Sequence, residues 1–241
     1  MKIEEQVVTT VAAVLEQDPY VNLHEFPLQL DFASGVLTLE GNVENIMAKK
    51  RALEVAGAIS GVDRIVDRLR LVPASPMQDG EIRDHVCNSL VSENYLGTCA
   101  VWAIVKGKAE VVREADQDMD GNIDVEVQDG VVVLNGAVSS LSAKRVAGVM
   151  AWWVPGSRDV VNGLEVIPPQ EDSDDEVVDA VCLVLEKDPF VNASQIRVRS
   201  SGFNVTLEGV VRNQLEKKFA ESDAWYVFRV DQVTNLLMVS E

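Results

Sequence analysis

Apolar residues fall at two spacings along the chain, and the change from one to the other marks out its elements. Ile3, Val7, Val11, Val14 and Leu15 recur at helical spacing. That helix is expected to end near Asp18-Pro19, because a residue preceding proline is pushed out of the helical region. Leu28, Leu30 and Phe32 then alternate as a short strand, Ser34-Gly35 reads as a turn, and Val36–Val43 returns as a second strand. Asn45 is placed to cap a helix running through Met47, Ala48, Ala52, Val55, Ala56 and Ile59, and Gly61 to stop it. Ile65, Leu69 and Leu71 mark a third strand.

This order of elements recurs. Val36-Leu-Thr-Leu-Glu-Gly-Asn-Val43 is echoed by Val131-Val-Val-Leu-Asn-Gly-Ala-Val138 and by Asn204-Val-Thr-Leu-Glu-Gly-Val-Val211. Such self-similarity outweighs any single residue as evidence of architecture. In the third copy Val177, Val181, Val184 and Leu185 stand for Val7, Val11, Val14 and Leu15, and Asp188-Pro-Phe-Val-Asn192 stands for Asp18-Pro-Tyr-Val-Asn22. Arg229 takes the place of Gly61. The second copy is the divergent one. Its first helix carries Ile82, Val86 and Leu90, and an insertion of about 96–122 separates that helix from the hairpin. The middle of the insertion, Ala100–Ala115, is expected as an extra helix.

Each unit thus reads α-β-β-α-β. The first two strands form a hairpin, and the second and third are joined by a helix and so should run parallel. The fold class is α+β: three repeats, each a three-stranded mixed sheet with two helices on one face. The expected boundaries are 1–74, 77–168, an acidic linker 169–175, and 176–241. Small sheets of this kind leave their other face and their edges for a neighbour, a second subunit or a ligand to cover.

Composition narrows the functional classes. Of the 241 residues, 39 are acidic and 21 basic, a net charge of −18. Nonspecific nucleic-acid binding needs a basic surface, so it is set aside. Docking on anionic lipid by charge alone is disfavoured on the same ground. The 47% hydrophobic fraction is ample for packed cores. Cys87, Cys99 and Cys182 form no CxxC pair or Cys/His cluster, which suggests neither zinc nor a disulfide framework. Cys87 and Cys182 occupy equivalent first-helix positions and read as small buried residues. Met1–Gln6 shows no apolar signal region, and no run approaches the roughly 18 apolar residues of a membrane helix. A soluble, cytoplasmic chain is the expectation, periplasmic only if a leader has been removed.

Several motifs together resemble the BON domain (bacterial osmotically inducible protein and nodulation family). In repeat one they are Gly41-Asn-Val43, Lys49-Lys50-Arg51-Ala52, Ile59-Ser-Gly-Val62 and Leu69-Arg-Leu71. In repeat two they are Gly136-Ala-Val138, Lys144-Arg145-Val146-Ala147, Val154-Pro-Gly156 and Leu164-Glu-Val166. The resemblance covers nearly the whole chain apart from the insertion and the acidic linker. It implies a non-enzymatic binding module, associated with membrane phospholipid or another amphipathic molecule, in bacterial envelope or osmotic stress.

Three sets of residues are candidates for binding. Trp152-Trp153 and Trp225-Tyr226 recur at the end of the second helix, where repeat one has Gly57-Ala58. Trp and Tyr suit a site wet on one side, such as a membrane interface or ligand cleft; the alternative is packing at a repeat junction or in a self-associated oligomer. Lys49-Lys50, Lys144-Arg145 and Lys217-Lys218 begin each second helix and suit a phosphate headgroup, the alternative being a solvated helix face. Asp116, Asp118, Asp120, Asn122 and Asp124 match the alternate oxygen ligands of an EF-hand calcium loop, with Gly121 at the tight turn. Val127 stands where the bidentate Glu belongs, so an acidic turn without Ca2+ is the alternative. No nucleophile or acid–base constellation can be assembled, and no enzymatic activity is expected.

Overall fold

The computed structural model describes residues 3–114 and 121–240. They divide into two compact units, Met1–Val72 and Pro73–Glu241, each treated by itself.

The first unit is repeat one. It runs α1 (Ile3–Gln17), β1 (Gln29–Ala33), β2 (Val36–Val43), α2 (Ile46–Gly57) and β3 (Arg64–Leu71). The sheet order is β1-β2-β3, with β1 antiparallel and β3 parallel to β2. Asn45 caps α2 by accepting from the Ala48 N–H at 2.9 Å. Val11, Leu15, Leu37, Leu39, Ala52, Ala56 and Leu69 are fully buried between the helices and one sheet face. The two-residue turn Ser34-Gly35 has φ of 50° and 80°, which matches strand twist in a tight hairpin and suits glycine.

The second unit holds repeats two and three. Repeat two comprises α3 (Asp79–Ser92), β4 (Cys99–Val105), β5 (Lys108–Arg113), β6 (Gly121–Gln128), β7 (Val131–Val138), α4 (Leu141–Trp152), β8 (Asp159–Asn162) and β9 (Glu165–Val166). Repeat three comprises α5 (Asp174–Lys187), β10 (Ile196–Ser201), β11 (Asn204–Val211), α6 (Gln214–Tyr226) and β12 (Gln232–Val239), with sheet order β10-β11-β12. Both crossovers give the expected parallel pairs, β7 with β8 and β9, and β11 with β12. Arg229, in the place of Gly61, adopts φ 69°, the left-handed backbone that Gly61 adopts at 96°, two residues past the Val227 cap that ends α6.

The insertion is not the extra helix expected from its composition. It folds as the β4–β5 hairpin, and with it the sheet of repeat two grows to order β5-β4-β6-β7-β8. Val101 and Ala103 are buried while Trp102 between them is exposed, a period of two rather than 3.6. Lys106-Gly107 makes the hairpin turn with φ of 50° and 75°. The Arg113 guanidinium ties the hairpin down, donating to the carbonyls of Cys99 at 2.9 Å, Val91 at 3.0 Å and Leu96.

Two carboxylates hold hairpin turns to first helices. Asp79 accepts from the N–H groups of Asp129 and Gly130, each at 2.9 Å. Asp174 accepts from Gly202 and Phe203, each at 2.8 Å, and from the Ser200 hydroxyl. The Ser200 hydrogen bond, then the Phe203 and Gly202 amides, hold Asp174 below the usual carboxylate range. The stretch 169–175 is therefore more than a solvated linker: α5 begins inside it, at Asp174, and Ser173 caps that helix.

Candidate functional site

The candidate aromatics and two of the candidate cations, Lys144 and Arg145, come together where α4 meets α5 and α6, at the junction of repeats two and three. The Trp152 ring stacks on Tyr226 with centroids 5.7 Å apart. Trp153 Nε1 donates to Asp223 Oδ1 at 3.1 Å, and Trp225 is buried. Arg145 is the largest fully buried side chain among the described residues; its Nε donates to the Phe228 carbonyl at 3.1 Å and its guanidinium pairs with Asp172 at 2.6 Å. Lys144 lies 5.4 Å from the centre of the Phe228 ring. Lys187 of α5 reaches Glu93, just past α3, at 2.7 Å.

An acid pair that the sequence reading missed lies in this junction. Asp223 is 4% exposed and Asp188 9%. Burial pushes the Asp223 carboxyl up to about 8, and the charge of Asp188 and a hydrogen bond with it push the same way against the Trp153 donor. Tyr226 is raised too, first by burial and then by Asp223. Comparison of the repeats explains the pair. In repeat one the equivalent Asp18 bonds the Arg51 guanidinium at 2.7 Å and accepts from the Tyr20 N–H. In repeat three Phe219 replaces Arg51, and Asp223 replaces Val55. Asp188 keeps the turn, accepting from the Phe190 N–H at 2.8 Å, but faces a second carboxyl instead of a cation. The signal was present in the aligned repeats as a lost arginine and a gained acid. So enclosed, the pair holds a proton within the fold; it offers no open face to a substrate.

The basic residues divide. Lys49 is buried, and its Nζ donates to the Leu69 carbonyl and pairs with Asp67, each at 2.9 Å. Lys217 does the equivalent in repeat three, donating to the Leu237 carbonyl. Both tie a crossover helix to the third strand. Lys50 is half-buried and Lys218 exposed, on different repeats. Within the second unit, Lys144 and Arg145 lie at the junction with the tryptophans, whereas Lys217 is turned to its own third strand. Asp116, Asp118 and Asp120 lie outside the described residues. Asn122 and Asp124 lie on β6, opposite Ala137 and Asn135. Among the described residues no group of His, Cys, Asp or Glu is placed to hold a metal. Cys87 is buried, and that burial first, then Asp84, pushes its thiol up to about 11.

The repeated unit is one that known proteins share. The BON domain family model matches residues 4–73, 106–168 and 173–241, and the chain belongs to that family. Osmotically-inducible protein Y of Escherichia coli (strain K12) is 27% identical over 154 residues, covering 64% of this chain and 67% of that protein. Among solved structures, the C-terminal domain of CdsD, a structural protein of the type III secretion system of Chlamydia trachomatis, aligns with 100% of both chains at 14% identity and a TM-score of 0.25. The PrgH periplasmic domain aligns over 89% of this chain and 95% of its own at 12% identity and a TM-score of 0.23.

Osmotically-inducible protein Y is named for its osmotic induction. The match to this osmotically-inducible relative stands against the cytoplasmic expectation. That expectation rested on the first residues alone, and where a sequence begins does not report on a leader. No helix among the described residues is long and apolar enough to cross a membrane.

Proposed function

We propose that the protein is a non-enzymatic binding protein of the bacterial envelope, serving osmotic adaptation, and that it contacts phospholipid or another amphipathic molecule through the outer face of the repeat three sheet. The supporting observation is an apolar cluster that the fold leaves uncovered. Val210 and Met238 are paired neighbours on β11 and β12, and Leu236 lies two residues along on the same face. All three are exposed, at 43%, 65% and 55%. The helices cover the opposite face, where Val205, Leu207, Val233 and Leu237 are buried. Contiguous apolar surface of this kind marks an interaction site more often than scattered exposed residues do. The junction tryptophans are already engaged within the protein, so this patch replaces them as the proposed contact.

Vesicle flotation tests the reading. The full chain is expected to float with phospholipid vesicles, and Leu236→Lys with Met238→Lys to abolish flotation while leaving the far-ultraviolet circular dichroism unchanged. A chain that stays at the bottom with both neutral and anionic vesicles would refute it, as would equal flotation of the variant. Calcium forms a separate arm: a dependence removed by Asp118→Asn would assign Ca2+ to the Asp116–Asp120 stretch.

A further inference from the structure

The three repeats present an equivalent sheet edge and treat it in three different ways. In each, one residue of the edge strand stands opposite the glycine of the repeated motif: Ile123 opposite Gly136, Ile196 opposite Gly209, and, one residue before Gln29, Leu28 opposite Gly41. In repeat two this edge is filled by the chain itself. Residues Cys99–Ala103 of β4 run parallel to Gly121–Val125 of β6, with Val101 beside Ile123 and Trp102 beside Asp124. In repeat one the edge carries Pro27 at the position of Asn122. Proline has no N–H to offer, and proline on an edge turns away an added strand.

Repeat three has neither device. β10 pairs with β11 on one side only, and its residues 196–201 contain no proline. The stretch equivalent to Gly121–Val125 is 194–198. The edge that β4 covers in repeat two thus carries no strand in repeat three among the described residues.

Charge indicates what fits there. The filled strand of repeat two carries Asp124 and Glu126, beside an uncharged β4. In repeat three the two acidic positions are Arg197 and Arg199, both exposed, with Arg199 paired to Glu208 at 2.8 Å. The open edge therefore presents cations where the filled one presents acids, which suits an acidic strand. We infer that the β10 edge of repeat three is a docking site for an extended acidic strand of a partner polypeptide, added parallel to β10 as β4 is added to β6. Main-chain hydrogen bonds along the edge supply the affinity, and alternate acidic side chains beside Arg197 and Arg199 supply the selection.

Labelled synthetic peptides test this against the full chain by fluorescence anisotropy. A peptide of alternating valine and glutamate is expected to bind at least tenfold more tightly than its valine–lysine counterpart. A copy with alternate amides N-methylated, which keeps the charge but cannot pair as a strand, is expected to lose that binding. Arg197→Glu with Arg199→Glu is expected to exchange the preference of the two peptides, and protection of residues 196–201 from amide exchange is expected only with the peptide that binds. Equal binding of the N-methylated copy would overturn the inference, as would no binding of either peptide or an unchanged preference in the variant. A concentration-dependent dimer dissolved by the same charge reversal would assign the edge to a second copy of this chain and overturn it too. Flotation through Leu236 and Met238 is read out separately, so failure of either proposal leaves the other standing.

Discussion

Asp223 shows how one exchanged side chain changes what a repeat does. Its carboxyl is held protonated up to about 8, chiefly by burial, whereas in the unfolded chain it ionises near its ordinary value of 3.8. The folded state therefore keeps a proton that the unfolded state has released across this window. The group's contribution to stability is complete below about 3.8 and is lost as pH rises to about 8. Asp223→Asn mimics the protonated acid, keeping an acceptor for Trp153 and a donor for Asp188. The melting temperature of the wild type is expected to fall across that window, and the variant to show a flatter profile and higher stability at the alkaline end. Identical profiles would mean that Asp223 ionises normally. The lysines teach the converse lesson. Lys49 and Lys217 look like headgroup ligands in a sequence, yet each donates to a carbonyl of its own third strand.

At the scale of elements, the hairpins depend on close backbone approach. Gly209 has φ 135°, and a Cβ there would lie 2.0 Å from the Gln195 carbonyl oxygen. Gly202 in the β10–β11 turn has φ 56° with nothing near its missing Cβ. Gly202→Ala is expected to cost about 1 kcal/mol, the usual penalty for a left-handed residue. Gly209→Ala, which adds a clash with main chain, is expected to cost roughly twice that or more. Urea unfolding of the two variants separates the effects, and equal losses would place the glycine requirement in φ alone. The hairpin motif was legible because its turn residues and alternation agree. The β4–β5 hairpin was not, because a short apolar run with interspersed charges fits either period until a sheet edge stands beside it. β6 supplies that edge, and pairing then decides for strand.

At the scale of the molecule, repeats two and three share a junction whose strongest polar element is Arg145. Its side chain is fully buried, and Asp172 is its charged partner at 2.6 Å. Removing the carboxylate leaves a buried cation with only a carbonyl for company. Asp172→Ala is expected to cost about 3 kcal/mol, the usual scale for breaking a buried pair from one side. Because the junction belongs to both repeats, the loss is expected in both at once. Amide exchange should show β7 and β11 losing protection together. Weakening confined to one repeat would mean that the junction does not couple them. Lys187 with Glu93 and Trp152 with Tyr226 join the same two repeats.

The sequence alone determined the unit and its number, because period-two and period-3.6 stretches, turn glycines and the Glu-Gly or Asn-Gly step recur in register, and local rules suffice to read them. It also carried the parallel pairing of second and third strands, which follows from a helix-length connection. The destination of each recurring side chain was decided by tertiary structure. Trp152 and Trp153 could have faced lipid or a neighbouring repeat; packing of α4 against α5 and α6 turned them inward. Asp188 became half of an acid pair because residues 31 and 35 positions further along, Phe219 and Asp223, were folded over it. Spacing along a chain reports the face of an element, and only the fold brings a second element to that face.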